Sequence, residues 1–161
     1  MIPIFYHKNL YNVDDSVKYI KCDVTDPENI DYVINNIKDR YGNIDIIINL
    51  SCLCMDNSFL NKTKEEIMKV LEVNLVGTFL VNQIYSRYMD NGLIINMGST
   101  DGIDTYNLYN IDYSLSKNGI IYLSKMISEY TKNRVLCLCP NWVDTSSTRS
   151  MNSDFLTKLF E

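Results

Sequence analysis

The sequence predicts an α/β fold with a doubly wound parallel sheet in three layers, formed by a single domain over residues 1–161. Two observations predict it. The spacing of apolar residues switches several times between the period of two that is typical of strands and the period of 3.6 that is typical of helices. Residues 44–50 (IDIIINL) are almost entirely apolar, which is typical of a strand covered on both faces. Strands alternating with helices form βαβ units and hence a parallel sheet.

The first part of the chain is predicted to contain two strands and a helix. Residues 2–6 (IPIFY) and 17–23 (VKYIKCD) have the pattern of short strands. A helix follows, with Asp26 as its N-cap, Pro27 at its first position and Gly42 at its end.

The other elements continue the alternation. The strand 44–50 is followed by a long helix over residues 63–89 and by another buried strand at 93–99. A helix at 113–133 and a strand at 134–140 complete the pattern.

Charge and hydropathy exclude several classes of partner. The net charge is −5 and no basic block occurs, so nucleic acid is not expected as a partner. No apolar run approaches the roughly 20 residues that span a bilayer, so no membrane is expected either. The N-terminus MIPIFYHKNL lacks the layout of a signal peptide, which predicts a cytoplasmic protein.

Five cysteines and one histidine limit the possible metal and redox chemistry. An odd number of cysteines without an export signal predicts reduced thiols. Two C-x-C pairs, at 52–54 and 137–139, lack the two-to-four-residue spacer of zinc sites. Alternate residues of a strand face the same side, so ordinary packing explains each pair and no metal is predicted. His7 is the only histidine and belongs to no visible cluster, which argues against histidine-based triads and multi-histidine metal sites.

Polar or turn residues recur at the predicted carboxyl ends of strands, where ligands bind in open parallel sheets. Asp23, Asn49 and Ser51, Ser99, and Pro140 hold these positions. Ordinary loop chemistry explains any one of them equally well.

Tyr113 and Lys117 stand four residues apart, so they share a helix face. Tyr113 is the only one of twelve tyrosines with a lysine at this spacing. One such match is about what chance allows, and a plain surface pair explains it alone.

Six segments, in order, resemble the short-chain dehydrogenase/reductase family over residues 22–145. The segments are CDVTD (22–26), INLSC (48–52), VNLVG (73–77), INMGSTDG (95–102), YSLSK (113–117) and CPNWVDT (139–145). Each is weak alone, but their order makes a strong match. The resemblance implies a Rossmann-like fold and reversible hydride transfer between NAD or NADP and a small carbonyl or alcohol substrate.

The resemblance also implies roles for four catalytic residues. Tyr113 would donate its phenolic proton to the carbonyl oxygen, and Lys117 would lower the pKa of that phenol, which is ordinarily near 10. Ser99 would hydrogen-bond the substrate oxygen, and Asn74 would anchor a water in the proton relay. Counting back thirteen residues from Tyr113, to where the family has its serine, reaches Thr100 instead of Ser99. Thr100 is therefore the alternative hydroxyl.

The cofactor would lie along the same edge of the sheet. The implied cofactor-binding residues are Asp23, Val24, Asn49, Ser51, Tyr113, Lys117, Pro140, Val143 and Thr145. The choice between NAD and NADP stays open: Tyr6, His7 and Lys8 replace the acid that would bind the ribose of NAD, and a solvated surface explains the two basic groups as well as a 2′-phosphate does.

The chain departs from the family at both ends. The glycine-rich loop T-G-x-x-x-G-x-G is absent, and the 22 residues before Asp23 contain no glycine. Residues 2–6 resemble the family's second strand, so the first strand and helix are missing and the sheet is expected to be incomplete. Either residues 2–6 move into the vacant position beside the strand 44–50, or another chain or segment fills it; the first is the prediction.

Two main functional hypotheses follow, and a weaker third one is a cysteine-based metal or redox protein. The first is an oxidoreductase similar to 3-oxoacyl reductases or to sugar and alcohol dehydrogenases. The second is a catalytically inactive remnant that acts as a binding or oligomerisation module. A homo-oligomer would form through the helices 63–89 and 113–133, although core packing explains their apolar residues equally well. Those residues include Ile120, Ile121, Leu123 and Ile127.

Overall fold

The structure, a computed structural model, describes residues 2–6, 17–104 and 108–149. Within them, five strands form two parallel sheets, one of two strands in the order β1-β2 and one of three strands in the order β3-β4-β5. The strands are β1 (Ile2–Tyr6), β2 (Val17–Lys21), β3 (Ile46–Asn49), β4 (Leu93–Met97) and β5 (Arg134–Leu138). His7, Lys8 and the tail from residue 150 onward lie outside the described residues.

Helices follow β2, β3 and β4 in the predicted order. The helices are α1 (Pro27–Tyr41), α2 (Lys64–Leu71), α3 (Gly77–Tyr88), α4 (Ile111–Tyr130) and the short α5 (Ser146–Arg149). Between α2 and α3 the chain makes a π-helical turn, Glu72–Val76, and a 3₁₀ turn, Thr100–Gly102, follows β4. The single helix predicted over residues 63–89 is therefore interrupted by a π turn. The parallel strands with flanking helices confirm the predicted Rossmann-like α/β class.

Both ends of α1 are as predicted from its sequence. The Asp26 side chain accepts hydrogen bonds from the backbone N–H groups of Glu28 and Asn29, which satisfies donors that the first helical turn leaves without partners. Gly42 follows the helix with φ of 86°, a conformation that glycine adopts without steric cost.

The core lies on one face of the β3-β4-β5 sheet. Ile47 of β3 and Ile94 of β4 are buried there against Ile34 of α1 and Ile84 of α3. Successive strand residues point to opposite faces, and Ile46 and Ile48 are accordingly 54% and 52% exposed. The prediction that this strand is covered on both faces is therefore wrong for the described residues, because their helices cover the face of Ile47.

β1 does not occupy the position beside β3. It pairs in parallel with β2 from Ile2 opposite Val17 to Tyr6 opposite Lys21. Within the described residues β3 pairs only with β4. The prediction that residues 2–6 move beside residues 44–50 is wrong, because moving β1 would give up a five-residue ladder with β2. The edge of β3 thus carries peptide groups without a strand partner in the described part of the chain.

One helical stretch of the described residues, Lys64–Tyr88, passes a test of length and composition for crossing a membrane, because it contains an 18-residue window with a mean hydropathy of 1.3. No stretch of this kind was expected from the sequence. Val81, Ile84 and Tyr85 of this stretch are buried in the core. A core helix passes the same test, so the stretch gives no clear sign of a membrane protein.

Candidate active site

Tyr113 and Lys117 lie on one face of α4, at the carboxyl end of β4. The Lys117 ammonium nitrogen is 5.4 Å from the centroid of the Tyr113 ring. It also donates a hydrogen bond of 2.9 Å to the Met97 carbonyl oxygen. Because Met97 is the last residue of β4, this bond fixes the first turns of α4 against the end of the sheet, and Lys117 is buried as a result.

Ser99 supplies a hydroxyl beside the Tyr113 phenol. It is buried just after β4 and accepts a 3.1 Å hydrogen bond from the Asp101 backbone N–H. A hydrogen bond between the Ser99 and Tyr113 side chains lowers the pKa of the phenol. The Thr100 hydroxyl, in contrast, contacts Asn141 Oδ1 at 3.5 Å. The geometry therefore favours Ser99 over Thr100 as the hydroxyl beside the phenol.

The pKa of Tyr113 differs from the expected direction. Burial is the main cause that raises it, to about 12, and the charges of Cys52, Asp101 and Cys54 act in the same direction. Lys117 was expected to lower this pKa, but its ammonium group hydrogen-bonds the Met97 carbonyl. Tyr113 is consequently a protonated phenol at neutral pH.

Asn74 lies in the π turn and joins two other parts of the site. Its amide nitrogen donates to the Leu53 carbonyl at 2.8 Å and to Ser116 Oγ at 3.1 Å, and its oxygen accepts from the Leu53 N–H at 2.7 Å. Insertions of this π type are frequent at functional sites. Both amide hydrogens have protein partners, so in this structure Asn74 positions the loop after β3 against α4.

Asn49 belongs to a network of amides that the sequence analysis missed. Its nitrogen donates to Asn82 Oδ1 at 2.8 Å and to Asn96 Oδ1 at 2.7 Å, and Asn96 in turn donates to Ser124 Oγ at 2.9 Å. The network joins β3, α3, β4 and α4 beneath the site. The available sequence signal was an asparagine inside the apolar run of β4. The Asn49 amide nitrogen is therefore directed into this network.

A buried ion pair fixes the loop after β3 from the other side. Lys62 Nζ is 3.0 Å from Asp112 Oδ1, and the two side chains are 6% and 2% exposed. Lys62 also donates to the Met55 carbonyl oxygen. Asp112 directly precedes Tyr113, so this pair connects the loop to the first turn of α4. Sequence spacing could not reveal it, since fifty residues separate the two charges.

The remaining predicted cofactor residues lie in different parts of the structure. Asp23 and Val24 follow β2: the Asp23 carboxylate accepts from Thr25 N–H and Oγ–H, and Val24 lies against Gly77 of α3. Pro140 lies near Ser99, because its carbonyl accepts a 3.2 Å bond from the Thr100 N–H. Two others, Ser51 and Val143, are exposed, and the Thr145 hydroxyl accepts from the Thr148 N–H at the start of α5.

The described residues fit one half of a nicotinamide dinucleotide. Tyr113, Ser99 and Lys117 place two hydroxyls and an ammonium where a ribose and a carbonyl oxygen could bind. A pyrophosphate needs free N–H groups at a helix N-terminus. At the start of α1 the Asp26 side chain accepts from the N–H groups of Glu28 and Asn29, and at the start of α2 the Thr63 side chain accepts from the Glu66 N–H; the start of α4 has no side-chain cap. No cluster of three or more metal-ligating side chains occurs in the described ranges.

Comparisons with known proteins agree with this arrangement. Residues 6–155 match the family model of the short chain dehydrogenases. The 3-oxoacyl-acyl-carrier-protein reductase FabG of Vibrio cholerae is 30% identical over 146 residues, 87% of this chain and 59% of that protein. Carbonyl reductase family member 4 of Xenopus laevis is 31% identical over 146 residues, 87% of this chain and 61% of that protein.

A solved structure extends the comparison to three dimensions. A short chain dehydrogenase from Leptospira borgpetersenii, crystallised with bound NAD+, superposes with a TM-score of 0.85 at 26% identity, over 96% of this chain and 65% of that one. The chain therefore spans about three fifths of the length of the two curated relatives named above. The matched family model covers nearly all of its residues, and the chain belongs to the short-chain dehydrogenase family.

Proposed function

We propose that this chain is an NAD(P)-dependent oxidoreductase that interconverts a carbonyl and an alcohol on a small molecule. The observation that carries the proposal is the meeting of the Tyr113 phenol, the Ser99 hydroxyl and the Lys117 ammonium group at the carboxyl end of β4. Ligands of open parallel sheets bind at such ends. The names of the relatives, a 3-oxoacyl reductase and a carbonyl reductase, support the same class of reaction.

Each residue of the site has a separate role in the reaction at the substrate oxygen. Bound NADH or NADPH supplies the hydride. The Tyr113 phenol, protonated because its pKa is raised to about 12, donates its proton to the carbonyl oxygen as negative charge develops there. Ser99 donates a hydrogen bond to the same oxygen, and the Lys117 ammonium group, 5.4 Å from the centroid of the Tyr113 ring, lies where the cofactor ribose would bind. Asn74 holds the loop after β3 beside this group through its bonds to Leu53.

The protonation state that Tyr113 needs predicts different pH profiles for reduction and oxidation. Carbonyl reduction needs the protonated phenol and should stay level from neutral pH toward the raised pKa. Alcohol oxidation needs the phenolate, so its rate should rise with pH over the same range. The two initial rates, measured from pH 7 to 10, test this expectation; equal profiles would assign the proton transfer to another group.

A binding or oligomerisation module without catalysis is the second candidate. It is favoured by the helix N-termini of α1 and α2, where the chain's own Asp26 and Thr63 side chains accept from the N–H groups of Glu28, Asn29 and Glu66. In either case we propose a homo-oligomer through α2, α3 and α4, where Phe79, Tyr122 and Met126 are exposed apolar side chains. Ile120 is buried in the chain itself and is excluded from that surface. A cytoplasmic location remains part of this proposal.

Titration with NADH and with NADPH, followed by nicotinamide fluorescence, separates the two candidates. Saturable binding with turnover of carbonyl substrates supports the oxidoreductase; no binding at millimolar cofactor supports the module. Tyr113→Phe keeps the ring beside Lys117 and removes the hydroxyl alone, so we expect reduction to fall at least 100-fold. Tyr130→Phe, at the exposed end of the same helix, is the matched control and should retain the rate. An unchanged rate in Tyr113→Phe would reject the mechanism.

A further inference from the structure

Two cysteine sulfurs meet under the candidate site. Cys137 lies in β5 and Cys139 follows its last residue, Leu138. A Cβ atom placed on Gly98 would lie 2.7 Å from Cys139 Sγ and 3.1 Å from Cys137 Sγ. Both sulfurs therefore lie against the same glycine, in space that only the absence of a side chain leaves open.

The two thiols interact with each other as well as with the site. The Cys137 side chain hydrogen-bonds that of Cys139, and burial together with Cys137 raises the pKa of the Cys139 thiol. The Ser99 backbone and the Lys117 charge lower the same pKa. Both side chains are partly exposed, so a small oxidant has access to them.

We propose that Cys137 and Cys139 form a redox-active dithiol that closes to an intramolecular disulfide in the presence of a peroxide. Neither the family's reaction nor the residues that carry the proposed function require these thiols, and closure does not depend on that function.

The reaction balances with hydrogen peroxide as the oxidant. One thiolate attacks a peroxide oxygen, giving a sulfenic acid and, after protonation of the leaving hydroxide, one water. The second thiol then attacks the sulfenic sulfur and releases a second water. Two thiols lose two hydrogens and two electrons, and the peroxide is reduced to two waters. The raised pKa of Cys139 leaves little thiolate at neutral pH, so closure should accelerate as the pH rises.

Strand geometry makes such a disulfide easy to reduce again. Alternate residues of an extended strand are about 6.6 Å apart between Cα atoms, close to the upper limit of roughly 6.8 Å for a disulfide. Formation of the disulfide must therefore shorten the distance between the Cα atoms of Cys137 and Cys139 by bending the backbone at Leu138. Strained disulfides have more oxidising potentials and are the labile ones.

The backbone around the pair also holds the loop of Ser99. Gly98 N–H donates to the Leu138 carbonyl at 2.7 Å, and Thr100 N–H donates to the Pro140 carbonyl at 3.2 Å. A contraction between Cys137 and Cys139 moves both acceptors. Oxidation of the pair would consequently shift the residues on either side of Ser99.

Peptide mass mapping of the oxidised protein tests the proposal directly. The reduced, folded chain is treated with stoichiometric hydrogen peroxide, blocked with N-ethylmaleimide and digested with trypsin. Residues 135–149 form one tryptic peptide that holds Cys137 and Cys139 and no other cysteine. We expect this peptide to be two hydrogens lighter, free of maleimide and restored by dithiothreitol, with faster conversion at pH 9 than at pH 7.

The second C-x-C pair provides an internal comparison. Cys52 and Cys54 share the tryptic peptide of residues 41–62, but the Cys54 thiol hydrogen-bonds Asp56, so this peptide should close more slowly. Recovery of residues 135–149 with two maleimides, or as an irreversibly oxidised sulfinic acid, would overturn the proposal. So would an intermolecular disulfide through either residue on a non-reducing gel. In Cys139→Ser, Cys137 should accumulate as a maleimide adduct or a sulfenic acid.

Discussion

The two faces of the β3-β4-β5 sheet share one set of strands and differ in almost everything else. On one face, Ile47 and Ile94 pack against α1 and α3, and Ile94 is 0% exposed. On the other, Ile46, Ile48 and Leu136 are each about half exposed. The strands carry apolar side chains on both sides, so apolar sequence alone does not decide which side chains lose water. Burial is decided by the helices of the described residues, which cover the face of Ile47.

The covered face is also the one that carries the polar network. Asn96 lies on the same face as Ile94, two residues further along β4. Its side chain hydrogen-bonds those of Asn49, Asn82 and Ser124. These bonds fix α3 and α4 relative to the sheet, and α4 in turn presents Tyr113 and Lys117. The candidate site thus depends on the covered face, while the open face contributes none of the residues assigned to it.

Ile94→Ala should have the largest effect on stability. Removing a buried isoleucine side chain leaves a cavity, and the expected loss in the free energy of unfolding is about 2–5 kcal/mol. Urea denaturation followed by circular dichroism measures it. Ile48→Ala, on the same sheet but 52% exposed, is the matched control and should lose less than about 1 kcal/mol. Equal losses would mean that the open face is covered in solution.

Asn96→Ala should come next. The substitution leaves the amide groups of Asn49 and Asn82 without their shared acceptor, and an unsatisfied buried polar group costs about 1–3 kcal/mol. Unfolding in urea again gives the loss. Asn35→Ala, which removes a partly buried hydrogen bond to Tyr88 away from the network, serves as the comparison and should cost about 1 kcal/mol. A smaller loss for Asn96→Ala than for this control would contradict the structural role of the network.

The buried Cys22 thiol should make the stability of this core depend on pH. It lies in the same core, and burial is the first cause that raises its pKa from 9.0 to about 11. Above pH 9 the unfolded chain loses this proton before the folded chain does, so the contribution to stability falls as the pH rises from 9 to 11. The wild type should therefore lose more stability than Cys22→Ala across that range, as measured by urea midpoints. Parallel curves would show that the thiol is solvated.

The smallest effect on the free energy of unfolding is expected for substitutions on the open face. Replacing Ile48 and Leu136 by lysine puts charges on a surface that the described residues leave half exposed, so the free energy of unfolding should change by less than about 0.5 kcal/mol. Exposed apolar patches favour association, and light scattering should show less self-association than in the wild type. Misfolding of this double variant would indicate that a segment or partner covers the face.

The sequence by itself determined the order of strands and helices, since apolar period and end signals act over short range. Asp26, Pro27 and Gly42 fixed α1 correctly, and Tyr113 with Lys117 lie on one helix face as their spacing requires. It also predicted that the sheet would be incomplete. Local patterns of this kind depend on neighbours within a turn or two.

Only the tertiary structure decided what covers the sheet and what surrounds the site. An isoleucine in a strand has the same pattern whether a helix or water lies above it, so the exposure of Ile48 was not predictable. The pair of Lys62 and Asp112 and the amides around Asn96 join residues far apart in the chain. The raised pKa of Tyr113 has the same origin: burial and the charges of Cys52, Asp101 and Cys54 depend on how distant segments pack, and electrostatic energies depend on that distance and solvation.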